Sequence, residues 1–286
     1  MDNVLQTYMR TGRPSSPTKL SMSLQAIDTH AHVFLTSRPM APGRRYTPGY
    51  DAPLARYLEI LDQFGMSGGV LVQPSFYGTD NSYMLECLAA APLRLRGIAV
   101  LDPHIADEDL QALDRSGVVG VRFNLIGAGP DVLDDPAQRH LLRRIQALGW
   151  QVEVQSEGAH WLRILKSLDA YDGPIVIDHF GRPAPAKGVA CEGFQAILRH
   201  AGDARLYVKM SAAYRCGGVD VGLYAEALLQ AFGPARLLWG SDWPWTQFEA
   251  GRSYDKLATA GIPGLPPLMQ LLAPTAVRLF RFAETA

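Results

Sequence analysis

The feature that most constrains this chain is a short apolar, β-branched run that recurs along most of its 286 residues. The runs lie at 25–28, 69–73, 97–101, 118–124, 151–155, 174–178, 206–211 and 236–241. Most are apolar without interruption, which is typical of strands buried on both faces of a parallel sheet. The stretches between them show helical spacing, for example at 53–65, 81–91, 137–149, 160–170 and 221–233. The chain therefore alternates predicted strands and predicted helices.

Eight strand–helix units in about 260 residues are what a (β/α)8 barrel requires. Gly65, Gly149 and Gly233 stand where the helix C-caps of such units belong. The alternative is an open doubly wound sheet, in which a glycine-rich phosphate loop often follows the first strand. Because no such loop follows residue 28, we predict an α/β fold of the TIM-barrel type.

The composition excludes several classes of partner. The chain is 48% hydrophobic, enough for a sizeable core, and its net charge is only −1. No basic cluster predicts binding to nucleic acid or anionic lipid, and no apolar run approaches the roughly 20 residues of a membrane-spanning helix. Cys87, Cys191 and Cys216 are too few and too scattered for a disulfide framework. We predict a cytoplasmic protein, monomeric or homodimeric, whose partner is a small molecule.

The domain organisation is simple. Residues 1–24 are polar and rich in Ser, Thr and Pro, and they lack the apolar stretch of a signal peptide. We interpret them as a tail that is partly disordered or lies on the barrel surface. Residues 25–286 show no linker, so we predict that they form a single domain.

Two histidines leave the first predicted strand together. In QAIDTHAHVF, His30 and His32 are two residues apart and point to the same side of an extended chain. Active sites of TIM barrels lie at the carboxyl ends of the strands. His179 in VIDHFGRP follows the sixth strand, and Asp242 in LLWGSDWPW follows the eighth. A buried carboxylate needs donors or a function, so these residues predict a metal site or an acid–base site.

Arg122 lies inside an otherwise apolar strand, where a charge is costly unless it meets a partner. Two interpretations stay open: a structural ion pair, or a guanidinium that binds a substrate carboxylate. Other polar residues follow strand ends and are candidates for substrate contacts. They include Ser75 and Tyr77 after strand two, Gln155 at the end of strand five and Arg215 after strand seven.

The motifs THAHVF, IDHFGRP and WGSDWPW together resemble the amidohydrolase superfamily, and more narrowly its 2-pyrone-4,6-dicarboxylate lactonase group. The similarity extends over residues 25–285 and includes YTPGYDAP, YGTDNSYML, RGIAVLDP and GVRFN. It implies a distorted (β/α)8 TIM barrel that hydrolyses or rearranges small lactones.

The resemblance also implies roles for individual residues. His30, His32 and His179 would hold the carbonyl oxygen of the lactone, and Asp242 would carry a proton from water to the leaving oxygen. The predicted substrate-binding residues are Arg122, Arg215, Ser75, Tyr46, Asn124, Gln155 and Tyr77. The dicarboxylate lactonases have an arginine where this chain has Ala128 and a tyrosine where it has Gln155. A monocarboxylated lactone, a muconolactone-type ring and a sugar lactone therefore stay open as substrates beside a dicarboxylate.

Superfamily members with two metals share a fuller ligand set than this chain offers. Besides His-x-His and the aspartate, they place a lysine after about the fourth strand and a histidine after the fifth. Here those positions offer Arg122, Asn124 and Gln155. The ligand set of a bridged two-metal centre is therefore incomplete.

A single zinc on His30, His32 and Asp242, with or without His179, stays open on ligand chemistry. Because the dicarboxylate lactonases work without a metal, we predict that the protein has no cofactor. The alternatives to a lactone hydrolase are a lactone isomerase on the same scaffold, a zinc-dependent hydrolase or decarboxylase, and a non-catalytic binder of small acids.

Overall fold

Eight parallel strands make a single sheet in the computed structural model, which describes residues 26–258 and 271–282. Around the sheet the strands follow chain order, so each pairs with the next. They are β1 Ala26–Ala31, β2 Met66–Val72, β3 Leu95–Ala99, β4 Val118–Asn124, β5 Gln151–Gln155, β6 Ile175–Ile177, β7 Leu206–Ser211 and β8 Leu237–Gly240. The predicted tail of residues 1–24, and residue 25 at the start of the predicted domain, lie outside the described residues.

Helices connect the strands. They are α1 Leu54–Gln63, α2 Ser82–Ala90, α3 Asp107–Arg115, α4 Pro136–Ala147, α5 Trp161–Ser167, α6 Glu192–Arg199, α7 Gly222–Phe232, α8 Tyr254–Ala258 and α9 Ala273–Leu279. Each of α1 to α7 lies between two consecutive strands, and α8 and α9 follow β8. Gly65, Gly149 and Gly233 end their helices with φ values of 64°, 64° and 63°, the left-handed conformation that glycine adopts at least cost. No helix in the described ranges is long and apolar enough to cross a membrane.

The last strand meets the first at their carboxyl ends, which confirms the predicted TIM barrel. The amide of Asp242 donates to the carbonyl of His30 at 2.8 Å, and the amide of His32 donates to the carbonyl of Trp243 at 2.7 Å. Gly240 permits this approach, since a Cβ at that position would lie 2.8 Å from the Cβ of His30. The closure therefore places the aspartate beside the two histidines.

The barrel interior contains an apolar cluster. Its members from the strands include Ile27, Val70, Ile98, Val176 and Leu238, and α9 and the residues after it add Ala276, Val277, Phe280 and Phe282. Side chains from strands on opposite sides of a barrel can touch only through its interior. The C-terminal segment thus packs against the inside of the barrel and not only against its outer helices.

Three of the eight strands have the predicted bounds, although each contains a charged residue: Arg122, Glu153 or Lys209. These strands are β4, β5 and β7, and β2 begins earlier than predicted, at Met66. β1 continues to Ala31 and so contains His30, which the prediction placed after the strand. All six residues of β1 are buried, so the extension carries the first histidine into the barrel mouth.

Candidate active site

The ends of β1, β6 and β8 bring the four predicted catalytic residues together. Oδ1 of Asp242 lies 3.3 Å from Nε2 of His32 and 3.6 Å from Nε2 of His30. The ring centroids of His30 and His179 are 4.7 Å apart, and all four side chains are buried. Asp242 and His179 have φ values of 56° and 53°. Residues other than glycine adopt such values rarely, and often at functional sites.

The two carboxylate oxygens of Asp242 have different surroundings. Oδ2 accepts hydrogen bonds from the hydroxyl of Tyr214 and, at 2.7 Å, from Nε of Arg215. Oδ1 has no hydrogen-bond partner among the described residues and faces the histidines. Burial alone would raise the pKa of Asp242, but Arg215 and the histidines together hold this pKa well below its usual range. Asp242 is therefore an ionised carboxylate with one oxygen available to a ligand.

Two of the histidines are anchored through their Nδ1 atoms. Nδ1 of His32 donates to the carbonyl of Val72 at 2.7 Å, and because a carbonyl only accepts, this nitrogen carries a proton. Nδ1 of His179 lies 2.9 Å from the hydroxyl of Ser211, a group that both donates and accepts. Burial lowers the pKa of His179 to about 3, so its ring is neutral in the physiological range.

A buried ionic network lies behind His30. Nζ of Lys209 is 3.1 Å from Nδ1 of His30 and 2.6 Å from Oε2 of Glu153. Asp178 accepts hydrogen bonds from Nε and Nη2 of Arg122 at 3.1 and 3.0 Å. Burial, followed by the charge of Asp178, raises the pKa of Glu153 to about 8. Arg122 therefore makes the structural ion pair that its sequence position left open.

Two groups of residues have the spacing of metal ligands. With ligand atoms within 4.8 Å of one another, these groups are His30, His32 and Asp242, and His30, Asp178 and His179. Both need a lone pair of His30, yet Nδ1 of this ring lies against the ammonium of Lys209. A metal-binding histidine instead donates its second N–H to a carboxylate, a carbonyl or water. Two carboxylate oxygens, Oε1 of Glu153 and Oδ1 of Asp178, also lie 3.3 Å from Nδ1. A metal ion on Nε2 of His30 would therefore require Nδ1–H to donate to one of these oxygens and to face the ammonium of Lys209.

A cavity of about 180 Å³ borders Asp242 and contains four arginines, Arg45, Arg122, Arg182 and Arg215. Arg122 and Arg215 are paired with carboxylates. No carboxylate within the described ranges lies within 4.0 Å of Arg45 or Arg182. Nε of Arg182 is buried, and it has no hydrogen-bond partner in the described part of the chain. The cavity is therefore suited to a ligand that carries negative charge.

Most of the predicted substrate-binding residues line this cavity. Those that do are Arg122, Arg215, Ser75, Tyr46, Asn124 and Gln155. Tyr77 lies outside the lining, because its hydroxyl donates to the carbonyl of Leu35 at 2.7 Å and accepts from the amide of the same residue at 2.8 Å. Ala128 lines a separate, neighbouring cavity. Its side chain therefore does not shape the space beside Asp242.

Several residues of the site had no predicted role, among them Arg45, Arg182 and Lys209. Arg182 lies in the motif IDHFGRP, and Arg45 directly precedes Tyr46, so each adjoins a residue that was predicted. Lys209 interrupts the apolar strand LYVKMS, which is the same signal that singled out Arg122. The sequence therefore contained features that pointed to these residues. A charged residue in a strand, however, does not show which residue it pairs with.

Comparisons with known proteins agree with this geometry. The amidohydrolase family model matches residues 27–282, and the chain belongs to that family. The 2-pyrone-4,6-dicarboxylate hydrolase of Comamonas testosteroni is 31% identical over 274 residues, which cover 90% of this chain and 89% of that protein. The 4-sulfomuconolactone hydrolase of Rhizobium radiobacter is 34% identical over 240 residues, which cover 80% of this chain and 79% of that protein.

A solved structure from Pseudomonas putida, described as a 2-pyrone-4,6-dicarboxylic acid hydrolase, is 40% identical to this chain. The two superpose with a TM-score of 0.81, covering 91% of this chain and 99% of that one. The family and the barrel implied by the sequence motifs are therefore confirmed.

Proposed function

We propose that the protein hydrolyses a small lactone with at least one anionic group, and that it does so without a metal ion. The observation that carries the proposal is the position of Asp242. One of its oxygens is held by Tyr214 and Arg215, and the other faces His30 and His32 at the edge of the cavity. This arrangement suits a general base that must reach a water molecule next to a bound ester.

The proposed reaction uses this geometry. Oδ1 of Asp242 takes a proton from water, and the water oxygen bonds to the carbonyl carbon of the lactone. The carbonyl oxygen becomes negatively charged and is stabilised by the histidine cluster beside Asp242, in which a ring with its proton on Nε2 can donate a hydrogen bond. When the intermediate collapses, the bond between the carbonyl carbon and the ring oxygen breaks. The ring oxygen takes the proton from Asp242, and the product is a ring-opened hydroxy acid.

The arginines support an anionic substrate. Arg45 and Arg182 lack carboxylate partners within the described residues, and burial, followed by the charge of Arg215, lowers the pKa of Arg182. An anionic group on the substrate would relieve this unfavourable clustering of positive charge. The names of the two hydrolase relatives give a dicarboxylate and a sulfonated lactone as their substrates.

Arg122 and Arg215 remain proposed contacts for the substrate. Each lines the cavity while it also holds a buried carboxylate, Asp178 or Asp242. An arginine has five N–H donors, so these pairings leave donors for a ligand. Ser75, Tyr46 and Asn124 are further proposed hydrogen-bonding groups on the same lining.

The test is a substrate screen in water labelled with heavy oxygen. Pyrone carboxylates, muconolactones with carboxylate or sulfonate groups, and neutral aldonolactones are compared by kcat/KM. We expect turnover of an anionic lactone, with one solvent oxygen in the new carboxylate. Turnover without solvent oxygen would assign the protein as an isomerase, and a preference for neutral lactones would contradict the role of the arginines.

The absence of a metal requirement is tested on the same substrate. We expect purified protein to keep its activity after prolonged chelation and dialysis. Loss of activity with chelator and its return with zinc would overturn this part of the proposal.

A further inference from the structure

Lys209 is an unusual residue to find inside a barrel. Its side chain is fully buried, and burying a charge carries a desolvation penalty of several kcal/mol even when a partner is present. It does not line the cavity beside Asp242. Nζ instead lies between Glu153 at 2.6 Å, His30 at 3.1 Å and the ring of Phe280 at 5.7 Å. Its contact with the reacting groups therefore runs through His30.

The hydrogen bond between Lys209 and His30 can have only one direction. An ammonium group has three N–H donors and no acceptor, so Nδ1 of His30 must be the acceptor. Burial, followed by the charge of Lys209, lowers the pKa of His30 well below its usual range. The ring is therefore neutral and holds one proton. With Nδ1 accepting, that proton is on Nε2, the nitrogen that lies 3.6 Å from Oδ1 of Asp242.

The opposite tautomer would direct Nδ1–H at a carboxylate oxygen, at a longer distance than the Lys209 contact of 3.1 Å, and would also place this N–H against the ammonium. Oε1 of Glu153 and Oδ1 of Asp178 both lie 3.3 Å from Nδ1 of His30. Neither oxygen makes a hydrogen bond with any described residue. Each of these two residues uses its other oxygen, Glu153 for Lys209 and Asp178 for Arg122.

We propose that Lys209 is a positioning residue that fixes His30 in the Nε2–H tautomer, so that His30 acts in the reaction as a hydrogen-bond donor. The proposal rests on the lactone hydrolysis proposed above, in which a donor must meet the negative oxygen of the intermediate. It also disfavours a metal ion at His30, since a metal would have to displace the proton from Nε2.

The test uses protein labelled with heavy nitrogen in histidine. Nuclear magnetic resonance distinguishes the two neutral tautomers by the chemical shifts of their ring nitrogens, and the His30→Asn variant assigns the His30 signals. In the unsubstituted protein we expect His30 as the Nε2–H tautomer. An Nδ1–H tautomer there would overturn the proposal, whether or not any lactone is hydrolysed. Failure of the proposed function would instead leave this spectrum unchanged.

A matched pair of variants isolates Lys209. Lys209→Met combined with Glu153→Gln removes both members of the buried pair and leaves no isolated charge between them. Glu153→Gln alone keeps the lysine and resembles the protonated form of a carboxyl whose pKa is about 8. We expect the single variant to keep the Nε2–H tautomer and the double variant to lose it.

Activity gives a second readout. Loss of one donor to a developing oxyanion typically lowers kcat by 100-fold or more. If the Nε2–H tautomer falls to about 1–10% of the population in the double variant, kcat should fall by roughly 10- to 100-fold. KM should change by less than about threefold, because Lys209 does not touch the cavity. An unchanged His30 tautomer in the folded double variant, or an effect confined to KM, would overturn the proposal. If the double variant does not fold, the spectrum of the unsubstituted protein still decides.

Discussion

His30 and His32 leave the same strand in the same direction and approach the same oxygen of Asp242, but their surroundings differ. Behind His30 lies the ammonium of Lys209, which can only donate. Behind His32 lies the carbonyl of Val72, which can only accept. The neutral His30 ring therefore directs its N–H toward Oδ1 of Asp242, and Asp242 lines the cavity. The His32 ring donates its Nδ1–H to the carbonyl of Val72 and therefore offers Nε2 as an acceptor.

The difference shows how one short motif can supply both a hydrogen-bond donor and a hydrogen-bond acceptor. The His-x-His spacing determines the direction of both rings. The strand that packs behind each ring determines which of its two nitrogens carries the proton. β7 lies behind the first histidine and β2 lies behind the second. Substitutions that remove the shared oxygen, one ring or the surrounding charges should therefore have separable effects.

The largest decrease in activity should follow loss of the carboxylate that both histidines approach. Asp242→Asn keeps the shape but removes the base, so we expect kcat to fall about 1,000-fold. Binding of an unreactive anionic lactone analogue, measured by calorimetry, should change only a few-fold. A decrease in kcat of less than tenfold would remove Asp242 from the role of general base.

His30 should be replaceable in part by another donor. His30→Leu removes the N–H, and we expect kcat to fall about 100-fold. His30→Gln places an amide N–H near the position of Nε2 and should recover about tenfold of that loss. Steady-state kinetics of the two variants gives the comparison. Equal losses would show that His30 acts through packing and not through a donated hydrogen bond.

Substitution of an arginine in the cavity wall should change substrate binding more than the chemical step. Arg182→Met removes a guanidinium that has no carboxylate partner within the described residues, and we expect KM for an anionic lactone to rise about 30-fold. Arg143→Met, on an exposed position of α4, is the matched control and should leave KM unchanged. A decrease in kcat at constant KM in Arg182→Met would place this arginine in the chemical step.

His179 should contribute to the pH dependence of the free energy of unfolding. The pKa of His179 is about 3 in the folded protein because the ring is buried, against 6.5 for an exposed histidine. Between these values the unfolded chain binds a proton that the folded protein does not, so stability falls as the pH falls. The contribution is about 1.4 kcal/mol per pH unit.

Urea unfolding at two pH values within that range measures this contribution. The unsubstituted protein should lose about 1.4 kcal/mol more than His179→Gln for each unit of acidification. Equal losses would mean that His179 is protonated in the folded state.

Much of the fold could be predicted because parallel barrel strands are buried on both faces and therefore appear as apolar runs. β6 and β8 are examples, and His179 and Asp242 could be placed at the mouth from their positions after these runs. β1 was predicted too short, because the polar residues Thr29 and His30 end its apolar run while the buried strand continues.

The hydrogen-bond partners could not be predicted in the same way. The proton on His30 depends on Lys209, which arrives from a strand on another part of the sheet. Tyr77 resembles a substrate contact in the sequence, yet its hydroxyl turns back to the loop after β1. Arg182 reaches the cavity through a backbone with a φ of 44°, a conformation that residue type alone does not indicate.

Phe280, which directly follows α9, forms one wall of the chamber that encloses Lys209. A residue from the far end of the polypeptide thus helps to keep water away from the group behind the first histidine. During synthesis on the ribosome, β1 and β7 emerge well before this wall exists. The chamber around the ammonium group is therefore complete only once the C-terminal segment has docked, and a truncation that ends before α9 should open this chamber to water.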